Sequence, residues 1–192
     1  MTTSLKDYVQ KLLEEHRGER VFRFEYLGKH YWLKQPEQLK GIWLLLKPYP
    51  KQHFKEECEI LQHLNNIGAP VPKLCGFGDD YLVLEDAGPT LNIWLNDETL
   101  SWAEKSHILH SAIEILINLH QKGIIHGRPA IRDIAWKEGK ITFMDFESHS
   151  KSHNEHWLIT RDMLAFLDSL CRVKSLDDEK LNELFDYYKS HC

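Results

Sequence analysis

Between residues 4 and 17 leucine or valine recurs at Leu5, Val9, Leu12 and Leu13 with charged side chains between, the spacing of an amphipathic helix. Thr3 or Ser4 would cap it and Gly18 would stop it. From Arg20 to Tyr26 polar and apolar positions alternate, Leu27-Gly28-Lys29-His30 reads as a turn, and Tyr31 to Lys34 resumes the alternation, which predicts a β-hairpin. Phe54, Cys58, Leu61 and Leu64 return to helical spacing over residues 54–67, ended by Gly68. Two strands follow, Leu74 to Phe77 and Tyr81 to Glu85, joined through Gly78-Asp79-Asp80.

Beyond Gly88-Pro89 the pattern is mostly helical. A short helix near Leu91 to Leu95 precedes a long one that Ser101 caps, with Glu104 three residues on, and that runs to Gly123. Its predicted apolar face is Ile108, Ala112, Ile115, Leu116 and Leu119. A small β-pair, Ile134 to Trp136 with Ile141 to Met144 across Glu138-Gly139-Lys140, comes next. Helices over about Leu158 to Arg172 and Asp177 to Lys189 close the chain. Strands with one helix, then helices with a small sheet, predict an α+β protein: a single domain over 1–192 in two lobes, 1–86 and 87–192, with a hinge near Glu85 to Gly88.

Composition narrows what such a fold does. The chain has 192 residues and a net charge of −5 with both signs interspersed, which argues against a nucleic-acid surface. Cys58, Cys75, Cys171 and Cys192 form no C-x-x-C pair, so they read as reduced thiols rather than a disulfide or zinc framework. The longest apolar run, Ile42 to Leu46, is far short of the ~20 residues of a membrane span. A soluble, cytoplasmic protein is the expectation.

The chemistry concentrates in one stretch. His126-Gly127, then Asp133, then Met144-Asp145-Phe146 reproduce the spacing of a kinase catalytic loop, H-G-D-x-x-x-x-N, and its metal-binding aspartate. Arg128 stands where the general base belongs and Asp133 where the amide belongs. Phosphoryl transfer from ATP needs a lysine on the phosphates, an acid to hold that lysine, and oxygen ligands for Mg2+. Lys34 at a strand end, Glu57 on the following helix, and Asp133 with Asp145 fill these roles in order, with Glu85 to Gly88 as the adenine-binding hinge. Lys47 is a second candidate lysine, but only ten positions before Glu57.

These residues resemble the protein-kinase-like superfamily, in particular its small branches: lipopolysaccharide-core (Kdo) sugar kinases, RIO kinases and the minimal kinase of the KEOPS complex. Phe54 to Leu61 through Gly68-Ala69-Pro70-Val71-Pro72 is similar to their R-E-A-x-x-L…G-V-x-V-P, Glu57 falling on the glutamate. Leu119 to Gly127 resembles L-H-x-x-G-I-x-H-G, and Phe143-Met144-Asp145-Phe146-Glu147 resembles I-D-F-G or I-D-F-E. The resemblance spans roughly Val21 to Leu170. It implies a small antiparallel-sheet N-terminal lobe, a short helical C-terminal lobe, and ATP with Mg2+ bound between them. It also implies that Asp162 hydrogen-bonds the catalytic-loop backbone, although a helix-opening charge favoured by the dipole explains Asp162 equally well. No G-x-G-x-x-G loop precedes Lys34, which suits these branches better than ordinary protein kinases.

Register matters, because Arg132-Asp133-Ile134-Ala135 also imitates the H-R-D-L-A of tyrosine kinases. In the superfamily the base precedes the amide by five positions and the amide precedes the D-F-G aspartate by about a dozen, as 128, 133 and 145 do here. Asp133 therefore reads as a metal ligand, and Arg128 replaces the base. An arginine accepts no proton; it neutralises a transferred phosphate or holds an anionic acceptor well. His126, Arg128 and Asp133 are thus the candidate catalytic set, with Asp133 itself an alternative base. The expected function is transfer of the ATP γ-phosphate to a hydroxyl, of a lipopolysaccharide-core sugar or a protein serine, with peripheral membrane contact if the sugar is lipid-linked. The competing expectation is a pseudokinase, impaired by Arg128, that binds nucleotide or a partner. His149, His153 and His156 read as a solvated loop rather than a metal site, and Trp94, Trp102 and Trp157 as packing residues.

Overall fold

The computed structural model describes residues 4–37, 50–146 and 154–191. Lys47, Glu147, His149, His153, Cys192 and the run from Ile42 to Leu46 lie outside the described residues. The chain divides into two compact units, one of residues up to Gly68 together with Pro72–Asp86, the other of Ala69–Val71 together with Ala87 onward.

The first unit is a four-stranded antiparallel sheet with two helices. Helix α1, Leu5–Glu15, is capped by Ser4, whose Oγ accepts from the Asp7 N–H at 3.2 Å. Strands β1, Val21–Tyr26, and β2, Lys29–Lys34, form a hairpin in which Phe24 faces Tyr31. Leu27 and Gly28 have φ of +51° and +73°, the left-handed pair of a two-residue turn whose twist suits the strands. The turn is thus two residues tighter than the sequence pattern indicated.

Helix α2, Pro50–Asn66, starts four residues earlier than its apolar repeat. It buries Phe54, Cys58, Leu61 and Leu64. Strands β3, Leu74–Gly78, and β4, Tyr81–Glu85, complete the sheet in the order β1-β2-β4-β3. Val9 and Leu12 of α1 bury their apolar surface against Phe24, Tyr31, Leu33 and Val83 of the sheet, which stabilises this unit. Asn65 ties α2 to the approach to β3: its Nδ2 donates to Leu61 O at 2.9 Å and Pro72 O at 3.2 Å, and its Oδ1 accepts from Leu74 N–H at 3.1 Å.

In the second unit α3, Leu91–Asn96, precedes α4, Trp102–Gln121, which opens with a complete capping box of Ser101 and Glu104. Helix α4 buries Leu109, Ile113 and Ile117 as well as Ile108, Ala112, Leu116 and Leu119, while Ile115 is only partly covered. Its apolar face is wider than the predicted one, and α6, Asp178–His191, packs along the same helix. A 3-10 turn, Ile131–Asp133, leads into the pair β5, Ile134–Lys137, and β6, Lys140–Phe143. Phe143 N–H donates to Pro70 O at 2.7 Å, which is why residues 69–71 belong to this unit. Helix α5, Glu155–Cys171, carries Asp162 in its middle, so the reading of Asp162 as a helix-opening charge is corrected. Trp94 packs edge-on to Trp136, whereas Trp157 is largely exposed and packs against little. Among the described residues no helix is long and apolar enough to cross a membrane.

Candidate active site

The candidate catalytic loop begins where α4 ends. Gly123, at φ +70°, turns the chain, and Ile124 N–H closes back on Leu119 O at 2.9 Å. Beyond it two consecutive N–H groups converge on one carboxylate: His126 N–H donates to Asp162 Oδ2 at 2.7 Å and Gly127 N–H to Asp162 Oδ1 at 2.9 Å. His120 Nε2 approaches the same Oδ2 at 3.3 Å. Asp162 is fully buried, so these donors replace the water it would otherwise hold. Gly127 adopts φ +104°, which a side chain would resist.

His126 is a structural pivot with no solvent exposure. Its Nε2 lies 2.8 Å from Met144 O and its Nδ1 3.3 Å from Arg128 N, so an imidazole protonated on Nε2 donates to the carbonyl and accepts from the amide. The ring also packs on Phe143 and Phe146, with centroids 5.7 and 4.5 Å away. It thereby couples the loop to the segment bearing Asp145. Its surroundings make it an orienting residue, not a group exposed to a reacting atom.

The second half of the loop is held from α5, where Ser169 Oγ accepts from Ile131 N–H at 3.1 Å. Asp133 N–H bonds Ala130 O, and Met144 N–H bonds Asp133 O at 2.7 Å, which brings the Asp133 and Asp145 backbones together. Asp145 has φ +56°, the left-handed region that a non-glycine residue occupies at a cost and that concentrates at functional sites. Asp133 is buried, and its Oδ2 has no hydrogen-bond partner. Arg132 Nε lies 3.6 Å from that oxygen, too far for a hydrogen bond. Burial pushes the Asp133 pKa up, the Asp145 charge adds to it, and Arg132 and Arg128 pull the other way.

A buried carboxylate oxygen with no donor, beside a second carboxylate, fits a divalent cation. Among the described residues no group of three or more His, Cys, Asp or Glu side chains is arranged to hold a metal. Two carboxylates are the usual protein share for Mg2+, which completes its octahedron with water and substrate phosphate oxygens. Of the three histidines considered as a metal cluster, only His156 is described, exposed in the first turn of α5.

In the first unit Lys34, the last residue of β2, pairs with Glu57 of α2. Both side chains are largely buried, and the pair opens on a cavity of about 320 Å3 also lined by Arg20, Gln35, Glu37 and His53. Glu85 ends β4 with its N–H on Lys73 O at 2.9 Å. Asp86, which the sequence pattern did not single out, accepts from Arg23 Nε and Nη2 at 2.9 and 2.7 Å and donates its N–H to His30 O. That fork fixes the residue following Glu85. Gly88 has φ +91°, and a Cβ there would stand 2.9 Å from Lys137 Cβ, so only glycine fits.

A RIO-domain family profile matches residues 47–179. An uncharacterized protein of Haemophilus influenzae is 50% identical over 187 residues, which are 97% of this chain and 77% of that protein. These matches support the RIO branch of the resemblance and do not extend to the lipopolysaccharide-core branch. Lys34 precedes the matched segment, while Glu57, the loop from His126 to Asp133, and Asp145 all fall inside it. The chain belongs to the RIO-domain family, an atypical protein-kinase-like family.

Proposed function

We propose that this protein is an ATP-dependent phosphotransferase that moves the γ-phosphoryl group to an acceptor hydroxyl. The observation that carries the reading is the Asp133 carboxylate, buried, lacking a hydrogen-bond donor at Oδ2 and raised in pKa by burial and by Asp145. Such an arrangement costs stability unless a cation completes it. In this reading Asp133 and Asp145 hold Mg2+, Lys34 fixed by Glu57 binds phosphate oxygens, and the segment from Glu85 to Gly88 receives the adenine. The two units are the two lobes of one kinase-like domain. When bound, Mg2+ would neutralise charge on the transferring group.

The acceptor oxygen forms a bond to the γ-phosphorus as the bond from that phosphorus to the bridging oxygen breaks, releasing ADP. The hydroxyl proton needs an acceptor. Arg128 offers none; Asp133 serves as that base only where Asp145 alone ligates the ion, because a carboxylate bound to Mg2+ loses the proton affinity that burial gives it. His126 keeps the loop in place through Met144 O. The acceptor is a protein serine or a sugar, with contact at a membrane surface if the sugar is lipid-linked, and the reaction runs in the cytoplasm.

One observation favours a second reading. Arg128 at the position of the base would leave a pseudokinase that binds nucleotide and turns it over slowly or not at all. Thermal unfolding with and without ATP and Mg2+, in wild type and in Asp145→Asn, tests both. Ligand at a hundred times its Kd adds ~2.7 kcal/mol. No stabilisation of the wild type at any nucleotide concentration would sink both readings. Stabilisation lost in Asp145→Asn, together with ATP consumption lost in the same variant, supports the enzyme.

A further inference from the structure

Arg128 lines a groove that the catalytic roles above do not use. The groove, about 580 Å3, lies among α3, the loop from Arg128 to Arg132, and the C-terminal half of α5. Its charged lining is Arg128, Arg132, Arg172 and Lys174 against the single carboxylate of Asp168. That is a local excess of three positive charges on a chain whose net charge is −5. Such a concentration raises the local population of anions and fixes their orientation.

All four cations are exposed. Arg172 pairs with Asp168 at 2.6 Å, but both side chains are mostly exposed, at 76% and 63%, so this pair contributes little and exchanges readily for an incoming oxyanion. Arg128 and Arg132 are exposed, and their guanidinium groups act on the Asp133 carboxylate from nearby. Asn92 and Asn96 of α3 add neutral polar lining. A guanidinium fork matches the two oxygens of a phosphate or carboxylate, and Lys174 adds a point charge.

We propose that this groove is the acceptor subsite, and that the acceptor carries an oxyanion, phosphate or carboxylate, beside the hydroxyl that is phosphorylated. The inference rests on the phosphotransferase reading, since it gives Arg128 a purpose at the position where the base is missing. Arg128, Arg132, Arg172 and Lys174 hold the oxyanion, and the hydroxyl is thereby presented to the loop that carries Asp133. A neutral sugar, or a serine with no anionic group beside it, lacks the group these cations recognise.

Isothermal titration of inorganic phosphate, glucose 6-phosphate, glucuronate and glucose tests this. The proteins are the wild type, the double variant Arg172→Gln/Lys174→Gln, and the control Lys6→Gln/Lys11→Gln, which removes the same charge from the exposed face of α1. The expected result is binding of at least one anionic sugar but not glucose, weakened tenfold or more in the groove variant and by less than twofold in the control. Glucose 6-phosphate binding alone identifies a phosphate-bearing acceptor, and glucuronate binding alone a carboxylate-bearing one; either supports the subsite. Affinity equal in the groove variant and wild type, equal loss in both double variants, or glucose binding as tightly as its anions would overturn it. Stabilisation by ATP and Mg2+ is measured in the same preparations, so a failure of the nucleotide reading registers separately from a failure of the groove.

Discussion

Asp162 accepts the His126 N–H at 2.7 Å, although 36 residues of chain separate them, and the neighbouring oxygen takes the Gly127 N–H. Two buried donors depend on this one side chain. Asp162→Ala leaves both without a partner, at roughly 1–3 kcal/mol each. The variant is therefore expected to lose roughly 2–6 kcal/mol of stability, a large part of the ~5–15 kcal/mol of a typical domain. Asp162→Asn should fall between, since the amide offers one oxygen and turns an NH2 toward the second N–H. Denaturant unfolding checks this; a loss under about 0.5 kcal/mol in Asp162→Ala would show that the carboxylate does not hold the loop.

Asp133 predicts a gain of stability from a loss of function. Its folded pKa lies above the ordinary 3.8, so folding favours the protonated acid. That contribution is full below 3.8 and lost as pH rises through the folded pKa, leaving a buried charge that costs stability at pH 7. Asp133→Asn removes the charge and keeps the shape. Without ligand it should melt higher than wild type at pH 7, within the ~0.5–2 kcal/mol typical of stabilising substitutions, and on the proposed reading it should lose ATP-dependent phosphotransfer. Equal melting temperatures from pH 3 to 8 would contradict this account.

Lys34 and Glu57 answer to a different measurement. Each neutralises the other, so Lys34→Met and Glu57→Gln leave one largely buried charge without its partner, at a cost of roughly 1–3 kcal/mol. The double variant Lys34→Met/Glu57→Gln should regain much of that stability and yet gain nothing from ATP. Additive losses in a double-mutant cycle would mean that the pair is not coupled.

Gly88→Ala meets two penalties at once: φ of +91° and a Cβ 2.9 Å from Lys137 Cβ. A loss of roughly 1–3 kcal/mol is expected, from strain of the order seen for residues held in sparsely populated backbone regions. Gly139→Ala is the comparison, since its φ is +79° and a Cβ there meets nothing within 4 Å. Its smaller loss would isolate the contribution of the clash, and equal losses would assign the whole effect to the backbone.

The elements were legible in the sequence because their signals are local. Ser101 with Glu104, Leu27-Gly28 and Glu138-Gly139 each specify a cap or turn through a few neighbouring residues, and the structure has helix or strand where the periodicity indicates. The ends of α2 and the width of the α4 face were not legible, because packing of distant segments sets them. The same division holds at the site. Motif spacing singled out Lys34, Glu57, His126, Asp133 and Asp145, but the Asn65 clamp, the Arg23–Asp86 fork and the Ser169 tether are pairings across the chain with no periodic signature. For Asp162 the sequence leaves two readings equal, a helix-opening charge and an acceptor for the loop backbone, and only the fold separates them, in favour of the second, because the loop it serves lies 36 residues away.

The tethers from α5 to the loop also bear on the order of synthesis. The His126, Gly127 and Ile131 amides leave the ribosome before Asp162 and Ser169, their acceptors, so a nascent chain that has completed α4 and both short strands still has an unfinished loop. A product truncated before α5 would carry every residue of the candidate loop but lack the Asp162 and Ser169 acceptors that hold it. Folding of α5 onto the loop is thus the step after which these three amides have their acceptors.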